Sequence, residues 1–182
     1  GMPKYKDLNG DGIIDTNDRT MIGRGLPIHT GGFTNDFEYK GFDLSIFFQW
    51  SYGNDVLNAN RLFFENVNNS RNLNQYATYA DRWTPENPTS NIPVAKNSSS
   101  NKVVSSRVIE DGSFLRLKNL EIGYTFRQRE FLTKLGVQSI RLYLAGTNLL
   151  TFTSLDDYDP EKLSTDSCND VHPNTRTYSF GV

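Results

Sequence analysis

A single cysteine, Cys168, is all that the 182 residues contain, so no internal disulfide can staple the chain, and the thiol reads as incidental. Neither sign of charge dominates. Lys and Arg number 19 against 21 Asp and Glu, a net charge of -2, and no motif for reading RNA or DNA occurs. Nucleic acid is therefore not expected as a partner. Long apolar runs are missing too: no stretch nears the ~20 residues of a membrane-spanning helix, and no basic-then-apolar leader opens the chain. Strands of a membrane β-barrel are a separate matter, since their lipid face shows only as weak alternation. The two histidines, His29 and His172, fall in different loops. No Ser or Cys sits in a nucleophile motif, and Cys168 with His172 cannot make a metal cluster. Without a catalytic constellation, the chain is not expected to be an enzyme.

What is present is aromatic and alternating. Aromatics make up 13% of a chain that is only 36% hydrophobic, and they fall in short period-two runs, which favours strands. Over 33–40, Phe33, Phe37 and Tyr39 alternate with Thr34, Asp36, Glu38 and Lys40. A tight turn at Lys40-Gly41 leads into 42–52, where Phe42, Leu44, Ile46, Phe48, Trp50 and Tyr52 share one face, predicting a hairpin. Strands are predicted again over 113–126, 139–152 and 176–182. Leu115 and Leu117 fall out of phase with Leu120, Ile122, Tyr124 and Phe126, so a bulge, or a strand buried on both faces, is expected near Lys118. Two short helices are expected within 53–112. One is capped by Asn54 or Asp55 and carries Val56, Leu57, Phe63 and Phe64; the other carries Tyr76, Tyr79, Ala80 and Trp83 and ends at Thr84-Pro85. The aromatic strand residues Phe47, Phe48, Trp50 and Tyr52 read as lipid-facing girdle or core in preference to a sugar-stacking platform. The acids Asp156, Asp157, Asp159 and Glu161 read as a solvated loop.

Residues 7–18 spell out a cation site. Oxygen-bearing side chains fall at loop positions one, three, five, nine and twelve, with Gly12 at six, the pattern by which a short chain coils around a hard ion needing six to eight oxygens. Asp7, Asn9, Asp11, Asp15 and Asp18 are the expected side-chain ligands of Ca²⁺, and Ile13 the expected backbone carbonyl ligand. Ile14 is the expected apolar anchor of the loop. The competing reading is a solvated turn rich in Asp and Asn.

The order of segments KDLNGDGIIDTND (6–18), TGGF (30–33), YKGFDL (39–44), SYGNDVLNAN (51–60), RWTPENP (82–88), EDGSFLRLKNL (110–120), GYT (123–125) and GTNLLTFT (146–153), closing on Arg176-Thr177-Tyr178-Ser179-Phe180, resembles the C-terminal part of SusC/RagA-type TonB-dependent outer-membrane transporters. The resemblance runs over nearly the whole chain. It implies an all-β fold of antiparallel up-and-down strands, the C-terminal portion of a transmembrane β-barrel with long outer loops carrying short helices. It also implies import of glycans or peptides in Bacteroidetes, powered by TonB, with a SusD-like surface lipoprotein as partner and the lipid bilayer around the wall. A plug, a TonB-contacting segment and further strands are expected elsewhere in such a protein, so this stretch would not transport alone.

A parity argument independent of the family agrees. Counting back from a last strand running inward, long connections fall outside and short ones inside, as barrels of this type require. The expected division of one barrel segment, 1–182, is a calcium-type loop and connector (1–29), a hairpin (30–52), a long outer loop with short helices (53–112), two strands (113–152), an acidic outer loop (153–174) and a last strand (175–182). In water the lipid face would be exposed, so it is expected to pack on itself or on a copy. The alternative is a soluble secreted calcium-binding β-domain acting as a binding or adhesion module.

Overall fold

The computed structural model describes residues 1–65, 74–95, 103–127, 132, 134, 136–155, 159–161 and 174–182. Asp156, Asp157, Cys168, His172 and most of the connector between 127 and 137 lie outside these. The described residues fall into two compact units.

One unit is an antiparallel meander. Strands β1 (His29–Tyr39), β2 (Phe42–Tyr52), β5 (Phe114–Arg127), β6 (Ser139–Thr153) and β7 (Thr177–Gly181) pair in the order β1-β2-β5-β6-β7. Lys40 and Gly41 both take positive φ, 48° and 91°, which matches the right-handed twist of the flanking strands and closes the hairpin in two residues. The bulge lies where the phase slip predicts it. Phe47 pairs with Asn119 but Phe48 with Leu117, leaving Lys118 as the extra residue. That insertion returns Leu115 and Leu117 to the face of Leu120 and Ile122.

β1 starts at His29, earlier than the alternation from Phe33 suggests, by running through Gly31 and Gly32. Aromatic rings of β2 cover these glycines: a Cβ on Gly31 would run into the Trp50 indole, and one on Gly32 would stand 2.8 Å from Phe47 Cε2. The rings take the space that side chains would fill.

The other unit comprises the described parts of Gly1–Gly25 and Asp55–Asp111. A short ribbon pairs β3 (Asp55–Leu57) with β4 (Ile109–Asp111), and α1 (Ala59–Phe64) follows β3 directly. Val56 and Leu57 are thus strand residues and not helical ones as expected. Asn58, not Asn54 or Asp55, caps α1 by accepting from Arg61 N, and its buried amide also donates to Glu110 Oε1 at 3.2 Å. The second expected helix is a 3-10 turn, Ala77–Asp81, from which Trp83 is excluded. Tyr79 and Val108 are buried here, and Tyr76 packs on Phe64 at 5.3 Å. Glu65, also buried, holds Arg107 at 2.8 Å and accepts from Thr78.

Candidate functional site

The five-stranded sheet has two unlike faces, and the register fixes which residues lie on each. Reading across the strands, Phe37 pairs with Leu44, Leu44 with Ile122, Ile122 with Leu144 and Leu144 with Phe180. A second row runs Phe33, Phe48, Leu117, Leu150, and a third Trp50, Leu115, Phe152. Many of these side chains are bare: Leu144 is 59% exposed, Phe152 59% and Phe180 68%, whereas Leu44, Phe48, Trp50 and Leu117 are half-buried. Among the described residues the face does not pack on itself: the strands form a single meander whose opposite side carries the ion pairs described below.

Aromatic residues gather at both ends of this apolar band. At the turn end Phe42 lies 4.5 Å from Tyr124, which meets Phe126 edge-on at 4.6 Å, with Lys40 Nζ over Tyr39. At the far end His29 stacks on Tyr52 at 5.2 Å and accepts from Trp50 Nε1 at 3.1 Å, while Phe33 stacks on Phe48. From Phe42 to Tyr52 an extended strand rises roughly 34 Å at about 3.4 Å per residue. Tilted by ~40°, it spans about 26 Å, close to the apolar band of an outer-membrane barrel. Phe48, Trp50 and Tyr52 share the apolar face, whereas Phe47, grouped with them in the sequence, faces the other way.

The opposite face is polar and ion-paired. Arg141 of β6 binds Asp43 of β2 through both Nε and Nη2 and reaches Glu121 of β5 at 2.6 Å, tying three strands together. A cavity of about 890 Å³ opens beside this triad, bordered also by Asp36 and Glu38. Further along β5, Arg116 is only 2% exposed and donates to Asp159 at 2.5 Å and to Glu161 at 2.8 Å. Lys118 meets Glu161 at 2.7 Å. The reading of these acids as a solvated loop is corrected for Asp159 and Glu161, which are ion-paired and only partly exposed. Burial alone would raise the Asp159 carboxyl, but the Arg116 guanidinium and the amides of Asn174 and Glu161 outweigh it and hold it below its ordinary value. Sequence reasoning missed Arg116, because nothing within the alternating strand links it to acids 43 and 45 positions further on.

In the loop at 7–18 every expected side-chain ligand is engaged by backbone amides. Asp7 accepts from Gly10 at 2.6 Å and Gly12 at 2.8 Å, Asn9 from Asp11, Asp11 from Ile13, Asp15 from Asn17, and Asp18 from Leu8 and Asp15. Gly10 and Gly12, at φ 79° and 81°, allow the coil. The amides of Asp15 and Leu8 hold the Asp18 carboxyl below its ordinary value. Among the described residues no three Asp, Glu, His or Cys groups converge as a ready metal cluster. The donors are nonetheless all oxygen, and each carboxylate offers about four lone-pair sites, of which the amides use one or two, so the set suits a hard cation. Ile14, the expected anchor, is exposed over half its surface and so is not buried as an anchor would be, and Ile13 is 65% exposed.

A single wall, apolar with two aromatic belts on one face and polar on the other, defines the class: a stretch of transmembrane β-barrel. No family model matches the chain. It is 38% identical over 189 residues to TonB-dependent receptor P3 of Formosa agariphila, a match covering 98% of this chain and 18% of that protein. It is 25% identical over 179 residues to the TonB-dependent receptor SusC of Bacteroides thetaiotaomicron, covering 98% and 17%. Among solved structures, the RagAB peptide importer in its closed-closed state superposes with a TM-score of 0.77 at 28% identity over 97% of this chain and 20% of that one. By sequence and fold, the chain belongs with the SusC/RagA-type TonB-dependent receptors of the outer membrane. It spans less than a fifth of the length of these two receptors.

Proposed function

We propose that this chain forms part of the barrel wall of a TonB-dependent importer that takes up glycans or peptides together with a SusD-like surface lipoprotein. The observation that carries this is the division of one sheet into a bare apolar face, belted by aromatics at both ends, and an ion-paired polar face. Lipid covers the first face, and the second lines the lumen. The wall performs no catalysis; its part is to enclose a polar path. The names of the relatives, receptors and a peptide importer, support this reading. The alternative of a soluble secreted module loses ground, because water would meet Phe37, Leu144, Phe152 and Phe180 directly. A charge on the lipid face tests it: Leu144→Arg in the whole receptor should cost ~2–4 kcal/mol near the bilayer centre and deplete the receptor from outer membranes. Unchanged insertion would count against the assignment of the faces.

We further propose that the loop at 7–18 binds Ca²⁺ through Asp7, Asn9, Asp11, the Ile13 carbonyl, Asp15 and Asp18, on the outer side of the membrane. Binding would rigidify the loop and would support transport without taking part in it.

A further inference from the structure

His29 opens β1 on the apolar face, at the end of the hairpin away from the Lys40-Gly41 turn, and it is exposed. Its Nδ1 accepts from Trp50 Nε1 at 3.1 Å, and its ring stacks at 5.2 Å on Tyr52, its cross-strand partner. These two are the ring's partners among the described residues, all of them from β2. No charged side chain among those residues pairs with it, and the titratable group that faces it is the Tyr52 phenol. Trp50 in turn lies over Gly31, where a Cβ would run into the indole, and tilts against Phe33 at 6.3 Å. One bond therefore sets two things. An indole N–H can only donate, so Nδ1 of His29 must carry a lone pair and the proton of the neutral ring must sit on Nε2. The same bond holds the indole down over the bare backbone of Gly31.

We infer that His29 is a proton-operated clasp on the aromatic belt at this end of the sheet. A proton taken up at Nδ1 turns the acceptor into a donor, two N–H groups then face each other, and the bond to Trp50 is lost. The indole is released. Its N–H turns to water or to a lipid headgroup, and the cover over Gly31 loosens, while the stack on Tyr52, which does not use Nδ1, persists. The direction with pH follows from the neutral form being the one that accepts: the bond holds at high pH and is lost as pH falls through the range in which histidines take up a proton. Loop parity puts this end outside, where the surrounding medium reaches it. That placement rests on the function proposed above; the clasp rests on the hydrogen bond alone.

Exchange of the Trp50 indole proton with water, followed by NMR on the whole receptor labelled at tryptophan nitrogen and assigned with Trp50→Phe, tests this. His29→Phe keeps a ring for Tyr52 and removes the acceptor. At about pH 8 that variant should exchange faster than the unaltered receptor by up to about tenfold, and at about pH 5 the two should agree. His29→Asn, whose side-chain oxygen can accept at either pH, should match the unaltered receptor at the higher pH and exchange more slowly than it at the lower. Should His29→Phe fail to assemble, the Asn variant alone decides. Equal exchange in all receptors at both pH values, or a Phe variant faster by the same factor at both, would overturn the clasp. A Trp50 that shows the expected pattern in a receptor whose membrane insertion Leu144→Arg leaves unchanged would discard the barrel reading and leave the clasp standing.

Discussion

Gly123 leaves the space that the Asp43 carboxylate occupies: a Cβ on Gly123 would stand 2.5 Å from Asp43 Oδ2. The two are cross-strand partners, and Arg141 closes over the same spot from β6. The ion triad therefore depends on a residue with no side chain. Gly123→Ala should push the Asp43 carboxylate and the Arg141 guanidinium apart and lower the stability of the wall only slightly, because both meet the new methyl with the far ends of flexible side chains. The melting temperature of the receptor in detergent reads this out. Asp43→Asn in the same background should then cost less than it does alone, since the pair is already broken.

The same logic applies on the lipid face at Gly31. A methyl there meets the Trp50 indole, so Gly31→Ala should rotate Trp50 away from His29 and break the bond to its Nδ1. Tryptophan emission should shift toward that of a more solvated indole. Emission identical to the unaltered receptor would mean that the ring does not cover the glycine.

Acid should loosen the ion network at Asp159. Its carboxyl is held below the ordinary value of 3.8, so the pairing stabilises the fold fully above that value and loses this contribution as pH falls through the lowered one. Melting temperatures of the unaltered receptor and of Asp159→Asn should differ at neutral pH and converge only below pH ~3.8. Convergence already near neutrality would assign the pH response to another group.

For the loop at 7–18, Ca²⁺ should raise the melting temperature, and the double change Asp7→Ala with Asp11→Ala should abolish that rise. At saturating ion, about 100 times the dissociation constant, stabilisation should approach ~2.7 kcal/mol. A calcium response that survives the double change would refute the ligand assignment.

How much of this was readable in advance follows from the range of each interaction. The hairpin, its Lys40-Gly41 turn and the bulge at Lys118 were legible because each is written within a few neighbouring residues: an alternation, a residue pair tolerant of positive φ, a slip in phase. The β3–β4 ribbon was not. Its three-residue strands lie some fifty positions apart and carry no period, so Val56 and Leu57 read as the start of a helix. β1 was read late because Gly31 and Gly32 look like punctuation until Trp50 and Phe47 are seen to cover them. Arg116 was illegible as a centre, since in an alternating strand it is one more polar residue; its partners stand at 159 and 161, and only the closed fold brings them together.

The central claim is that one face of this sheet meets lipid and the other does not. Spin labels placed singly at each position from 42 to 52 of β2, with Cys168 replaced by Ser in the reconstituted receptor, test it most directly. Oxygen collision rates should rise and fall with period two, high at Phe42, Leu44, Ile46, Phe48 and Trp50 and low at Asp43, Ser45, Phe47 and Gln49. A flat profile, or labels on both faces equally open to a water-soluble relaxant, would contradict it.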